Sequence, residues 1–281
     1  MTTTAAPMGV EATAGWIAAA RAQERTRPDA LVDDPWAEAL AGEAGIAWAR
    51  AVTARAPDAL LPIIVRARYF DDWLLGQIAR GMPMQVVILG AGLDTRAWRL
   101  VWPAGTTVYE VDRAAVLGHK ATTMLAAGAT LTCARVEVPA DLLGDWPVDL
   151  LHAGMDPADA TTFLAEGILF YLPDAGLRRV LGAVTALAAA DSLLGFDIPD
   201  GRVLTSPYTK PWVDMQAAAG APWRGTMDDP AAELNPAGWV VQVRQPGEGD
   251  TSRGRWSLPV PPAGSRELPH SWYVTARRTG G

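Results

Sequence analysis

The stretch Gly90-Ala91-Gly92-Leu93-Asp94-Thr95 has the composition of a turn on which a nucleotide-type cofactor sits. Two glycines alone say little; the residues around them say more. A dinucleotide site would want a third glycine where Thr95 stands, and it would lay a pyrophosphate over a turn in which Asp94 repels it. A cofactor without phosphate, carrying an ammonium and a sulfonium, turns the same acid into an asset. Asp94 also suits a helix N-cap, and the two roles are compatible. The turn therefore favours S-adenosylmethionine over NAD.

Further acids stand where such a cofactor would need them. Glu110 lies about 20 residues beyond Gly90, close to the spacing of an acid that takes ribose hydroxyls. Strand alternation puts Glu110 and Asp112 on one side, so at least one of them is expected to hold the ribose. Asp141 with Leu142 could bind an adenine amino group and cover its ring, or Asp141 could be a turn acid ahead of Trp146-Pro147. Glu166 is embedded in the apolar run Leu164 to Pro173, where a lone carboxylate would be costly without a cationic partner.

Positioning these groups requires strands that end at them. Gln85 to Leu89 is apolar, β-branched and runs straight into the glycine turn, which reads as a buried strand. Further strands are predicted over 106–111, within 130–138, and over 161–165 and 193–198, with helices over 114–127 and 174–190 between them. That alternation implies βαβ units and a mostly parallel sheet. Residues 13–81 are helical and Ala-rich: Asp33-Asp34-Pro35-Trp36 reads as a helix start, and a further helix runs from Pro62 to Arg80 and stops at Gly81. The runs 239–244 and 272–276 are strands with no clear helix between them and would add an antiparallel edge. The expected fold is thus one α/β domain with a Rossmann-like sheet. It divides into a helical N-terminal cap (1–81), the core (82–200), a lid insertion (201–236) and C-terminal strands (237–281). The Pro- and Gly-rich stretch 246–264 is expected to be a surface loop.

Composition narrows the function. With 281 residues and a formal charge of −7, the chain lacks the basic surface that nucleic acid or an anionic membrane would demand. Cys133 is the only cysteine, which excludes an intramolecular disulfide framework and fits a reducing cytoplasm. Met1 to Val10 has neither a basic nor an apolar targeting segment, so no signal peptide is expected. No His/Cys spacing suggests a metal. A homo-oligomer is left open.

Taken together, these segments resemble the leucine carboxyl methyltransferase-like family, and within it an actinobacterial branch of small-molecule, polyketide-type O-methyltransferases. The matching text is Ala20 to Glu24, Asp34-Pro35-Trp36-Ala37, Val65 to Asp72, Leu89 to Arg96, Tyr109 to Asp112, Pro139 to Leu142 and Ala165 to Leu172. It covers most of the chain in the right order, and Gly90-Ala91-Gly92-Leu93-Asp94-Thr95-Arg96 is highly specific. The resemblance implies a class I methyltransferase sheet and S-adenosylmethionine as cofactor. It further implies that Arg66 pairs with the cofactor carboxylate and Gly90 lines its methionine portion. Asp112 would hold the ribose, Asp141 and Leu142 the adenine, and Glu166 the ammonium end. Arg66 and Arg68 face different ways on a helix, and Arg66 is the choice.

Methyl transfer to oxygen chiefly needs alignment and the exclusion of water. A carboxylate acceptor is ionised unaided, while a phenol would gain from a base. His119, His152 and His270 fall in no site motif, which tilts the expectation toward an acidic small-molecule acceptor. Twelve tryptophans is a high count, and Trp16, Trp36, Trp212 and Trp223 fall in the proposed cap and lid, where they could enclose an apolar acceptor or simply pin the cap. The alternatives are a cofactor-binding protein without methyl transfer, and a methyltransferase for a protein C-terminal carboxylate. The latter would need an open groove.

Overall fold

The computed structural model describes residues 10–81 and 84–280, with side chains from residue 13 onward; the expectation for Met1 to Val10 falls almost wholly outside them. Among these residues the framework is a seven-stranded sheet in the order β3-β2-β1-β4-β5-β7-β6. Its members are β1 (Gln85–Leu89), β2 (Thr107–Asp112), β3 (Ala134–Pro139), β4 (Thr161–Ala165), β5 (Leu193–Pro199), β6 (Trp239–Arg244) and β7 (Ser271–Arg278). The first five pair in parallel, and β7 inserts antiparallel between β5 and β6. The α/β class and the antiparallel C-terminal pair are as the sequence implies.

The period of two along β1 divides the core. Val86 and Ile88 face a cluster with the N-terminal helices, whereas Val87 and Leu89 face the opposite layer with Leu177, Val180 and Val184. The N-terminal layer is a cap of α1 (Val10–Arg25), α2 (Ala37–Arg55) and α3 (Leu61–Ile78). Within the sheet run α4 (Arg96–Arg99), α5 (Ala114–Ala126), α6 (Trp146–His152) and α7 (Asp174–Leu187); α8 (Lys210–Ala218) and α9 (Pro230–Leu234) follow β5.

The third strand takes the later part of the predicted stretch 130–138 and runs one residue past it, because Thr132 gives both its N–H and its Oγ1 to the Ala97 carbonyl, each at 2.9 Å, which holds that turn out of the ladder. One local expectation shifts. Residues 246–264 are more than a surface loop. Arg253 pairs with Asp72 on α3, Arg255 with the buried Glu24 on α1 at 2.5 Å, and Ser257 Oγ donates to Asp58 at 3.0 Å. They form a strap from the sheet's edge to the cap.

Candidate active site

A cavity of about 1200 Å³ opens at the carboxyl ends of the parallel strands, between sheet, cap and strap. That exceeds the roughly 300–1000 Å³ of ordinary small-molecule sites, and it lies where an open α/β sheet binds its ligands. The glycine turn forms its floor. Gly90 and Ala91 both give their N–H to the Val111 carbonyl, at 2.9 and 3.1 Å, which curls the chain back over β2. Gly90 has φ +63°, and a Cβ there would lie 2.4 Å from Ile168 Cγ1. Asp112, at the end of β2, clamps the turn by accepting from Gly92 N at 2.6 Å and from Arg113 N at 2.7 Å.

Asp94 lines the cavity but does not face it unpaired. Its Oδ1 accepts from Arg96 N at 2.7 Å, starting α4, and its other oxygen pairs with the Arg96 guanidinium. Burial alone would push this carboxyl up; Arg96, Arg99 and Lys120 instead hold it below the usual range. Asp94 therefore stands one residue before the α4 N-cap, Thr95, where it accepts from the first N–H of the helix and anchors Arg96.

Arg96 is the hub beneath the site. Only 2 % exposed, it reaches Asp71 Oδ1 and Glu166 Oε2, each at 2.7 Å. Asp71 also takes two bonds from Arg99, at 2.6 and 2.8 Å; against the upward push of burial, the Arg99 and Arg96 guanidiniums hold its carboxyl down at about 2. Arg66, from α3, bridges Glu166 Oε1 and Asp197 Oδ2, both at 3.2 Å. Asp197 in turn accepts from Gly167 N at 2.6 Å. Gly167 has φ +71°, and a Cβ there would come within 2.8 Å of Arg66. Burial and the neighbouring Glu166 push the Asp197 carboxyl up, against the pull of Arg66. This network sets three guanidiniums against four carboxylates, a formal excess of one negative charge. An S-adenosylmethionine, with two cationic centres and one carboxylate, has the complementary excess, so the donor set fits it.

The structure brings Arg66, Gly90, Ala91, Gly92, Asp94, Asp112, Asp141, Leu142 and Glu166 to this one cavity. Asp141 Oδ1 accepts from Leu143 N at 2.8 Å, and Leu142 is packed against the core. Arg68 turns away to Asp72 and the Leu31 carbonyl, whereas Arg66 lines the cavity. Glu110 is the departure. Its carboxylate is wholly buried, pairs with Lys120 Nζ at 2.8 Å and Arg135 at 2.5 Å, and does not line the cavity. Two cations claim it, so the geometry gives it to the core rather than to a ribose.

Several residues at the site carried no expectation. Arg96, Asp71 and Arg99 depend on three-dimensional pairing that spacing does not disclose. Asp197 sits in the apolar run Leu193 to Ile198, the same signal that singled out Glu166. The cap clips onto the turn through Arg21, which donates to Asp34 at 2.8 Å and to the Leu93 carbonyl at 2.7 Å, while Thr95 Oγ1 donates to Asp34 at 2.7 Å.

The far wall comes from residues 198–273. Trp212 and Trp223 line it as expected, joined by Trp256 and Trp272; Trp16 instead stacks on Trp48 within the cap, at 4.5 Å between ring centroids, and Trp36 packs in the core. Apart from Tyr208 and Tyr273, no ionisable side chain belongs to this wall among the described residues. No histidine lines the cavity: His119 and His152 are exposed, and His270 is braced between Gln245 and the Ser265 carbonyl. Among the described residues no metal-binding cluster occurs, and no helix is long and apolar enough to cross a membrane.

Residues 14–185, cap and cofactor floor together, match the leucine carboxyl methyltransferase family model. The chain belongs to that family. A relative in Mycolicibacterium smegmatis, assigned to the S-adenosyl-L-methionine-dependent methyltransferases, is 39% identical over 263 residues, covering 87% of this chain and 88% of its own. Among solved structures, a DUF574 family protein from Streptomyces avermitilis superposes with a TM-score of 0.63 at 14% identity, covering 93% and 96% of the two chains. A methyltransferase-class protein from Thermobifida fusca does so with 0.59 at 19%, covering 95% and 94%. The protein is an S-adenosylmethionine-dependent methyltransferase with a class I fold. The family match ends at residue 185, before Asp197 and the whole far wall of the methyltransferase cavity.

Proposed function

We propose that this methyltransferase methylates an oxygen, a carboxylate on a small and largely apolar natural-product-like molecule. The observation that carries this reading is the far wall, which is aromatic, proline-rich and without a histidine or any acid or base beyond two tyrosines. An acceptor that must lose a proton would find little help there. A carboxylate, with pKa about 4, arrives ionised.

In this reading the bound cofactor supplies the methyl group on a sulfonium with a good leaving group. Arg66 holds its carboxylate and Glu166 its ammonium, while Gly90, Ala91 and Gly92 let the backbone approach it closely. Asp112 takes the ribose, and Asp141 with Leu142 the adenine. Asp94 contributes through Arg96, which fixes Glu166. Residues 201–236 and the strap cover the acceptor and exclude water. Because the wall offers no guanidinium or ammonium, the acceptor oxygen keeps its electron density for attack.

A hydroxyl acceptor is the second reading, favoured by one observation: Asp197 lines the cavity with its carboxyl pushed up, and could take a proton. The pH profile of single-turnover transfer decides between them. A carboxylate gives a rate nearly flat between about pH 6 and 9, well above its pKa, and His152→Ala leaves it unchanged. A rate rising about tenfold per pH unit through neutrality overturns the carboxylate.

A further inference from the structure

Gln216 stands on the inner face of α8, at the helical spacing that also turns Val213 inward, and is only 5 % exposed. Its side-chain oxygen has no hydrogen-bond partner among the described residues, and it belongs to a side chain that lines the cavity. Trp256, on the strap, lines the same cavity, and its indole N–H is likewise buried without a partner. A buried polar group left unpaired is destabilising by roughly 1–3 kcal/mol, and native proteins keep few of them. The indole N–H of Trp223, whose ring packs on Phe170, is a third such group on this wall, whereas Gln245 donates to the Pro261 carbonyl and receives His270, and Thr209 donates to the Val203 carbonyl. Gln216 and Trp256 lie in the part of the chain that lines the acceptor half.

We propose that Gln216, with the indole N–H of Trp256, forms a polar recognition point that selects an acceptor bearing a second oxygen function, a hydroxyl or carbonyl, away from the oxygen that is methylated. This rests on the acceptor reading given above. A hydroxyl suits Gln216 in either orientation of its amide, since it both donates and accepts, and the terminal torsion of glutamine turns readily. Trp256 only donates, so it requires an oxygen acceptor. The preferred class is then an oxygenated apolar acid, and a plain aryl or fatty acid leaves both groups unpaired. Sites built on a buried polar group discriminate strongly against analogues lacking its partner.

The test uses matched probes on the full-length protein saturated with S-adenosylhomocysteine: hydroxynaphthoates against naphthoate, and hydroxybiphenyl carboxylates against biphenyl carboxylate. Binding is read by calorimetry. The best hydroxylated probe of each set should bind at least about tenfold tighter than its parent. Gln216→Leu should erase most of that preference while cofactor affinity stays at the wild-type value, which certifies the fold. Gln216→Met, equally long and apolar, provides the same reading if the first variant folds poorly. Trp256→Phe keeps an aromatic ring, though a smaller one, removes the donor and should reduce the preference in part. No preference in the wild type, no binding by any probe, or a preference that survives both Gln216 substitutions overturns the proposal. A preference that appears as expected, with no labelled methyl reaching any probe carboxylate, leaves the recognition point standing and counts against the carboxylate reading instead.

Discussion

Glu110 and Asp112 are two residues apart on one strand and lead opposite lives. Asp112 stands at the strand's end, where its carboxylate reaches Gly92 N and the cavity, while Glu110 is sealed between Lys120 and Arg135. Their neutral amides should therefore fail differently. Asp112→Asn is expected to weaken S-adenosylmethionine binding by roughly 1.5–3 kcal/mol, measured by calorimetry, with little change in melting temperature. Glu110→Gln strands the wholly buried Lys120 and leaves Arg135 with Glu137 alone, and is expected to destabilise the fold by about 3–5 kcal/mol in urea unfolding, while folded protein binds cofactor normally. The reverse pattern would return the ribose to Glu110. Alternation along a strand was enough to mark both acids, but it could not separate them. What separates them is the arrival of Lys120 from α5 and Arg135 from β3, contacts made by tertiary packing. Arg96 shows the same boundary: it belongs to a legible stretch, yet its role as hub becomes visible only when Asp71 and Glu166 are brought to it.

At the level of elements the sequence was far more explicit. β1, β4 and β6 begin and end where their apolar runs do, and the switch from strand and helix alternation to a bare strand pair gave the antiparallel edge. The strap was the exception, because proline and glycine mark a stretch as irregular without saying what it covers. The turn after β1 is the element on which the site depends most. Gly90→Ala would have to hold alanine at φ +63° with its Cβ against Ile168, so both backbone and packing oppose it. We expect a loss of roughly 1–3 kcal/mol in stability and a larger loss of cofactor affinity than Asp112→Asn gives. Equal cofactor affinity in the folded variant would show that the turn has more room than its geometry indicates.

Across the whole molecule the strap ties the two ends of the chain together. Arg255 meets Glu24, which is 4 % exposed by side chain and also accepts from Leu31 N at 2.7 Å. Arg255→Ala leaves that carboxylate short of its cation, and limited trypsin digestion should then cut after Arg253 at least several-fold faster than in the wild type, as the strap opens locally. An unchanged rate would mean that Arg253–Asp72 and Ser257–Asp58 suffice to hold it. The order of jobs along the chain has a consequence for descent. The family-matched stretch 14–185 holds the cap and nearly all of the charge network, while the far wall is drawn from 198–273. On the proposed assignment of that wall to the acceptor, changes confined to the later stretch would alter acceptor choice while the cofactor floor stays in place.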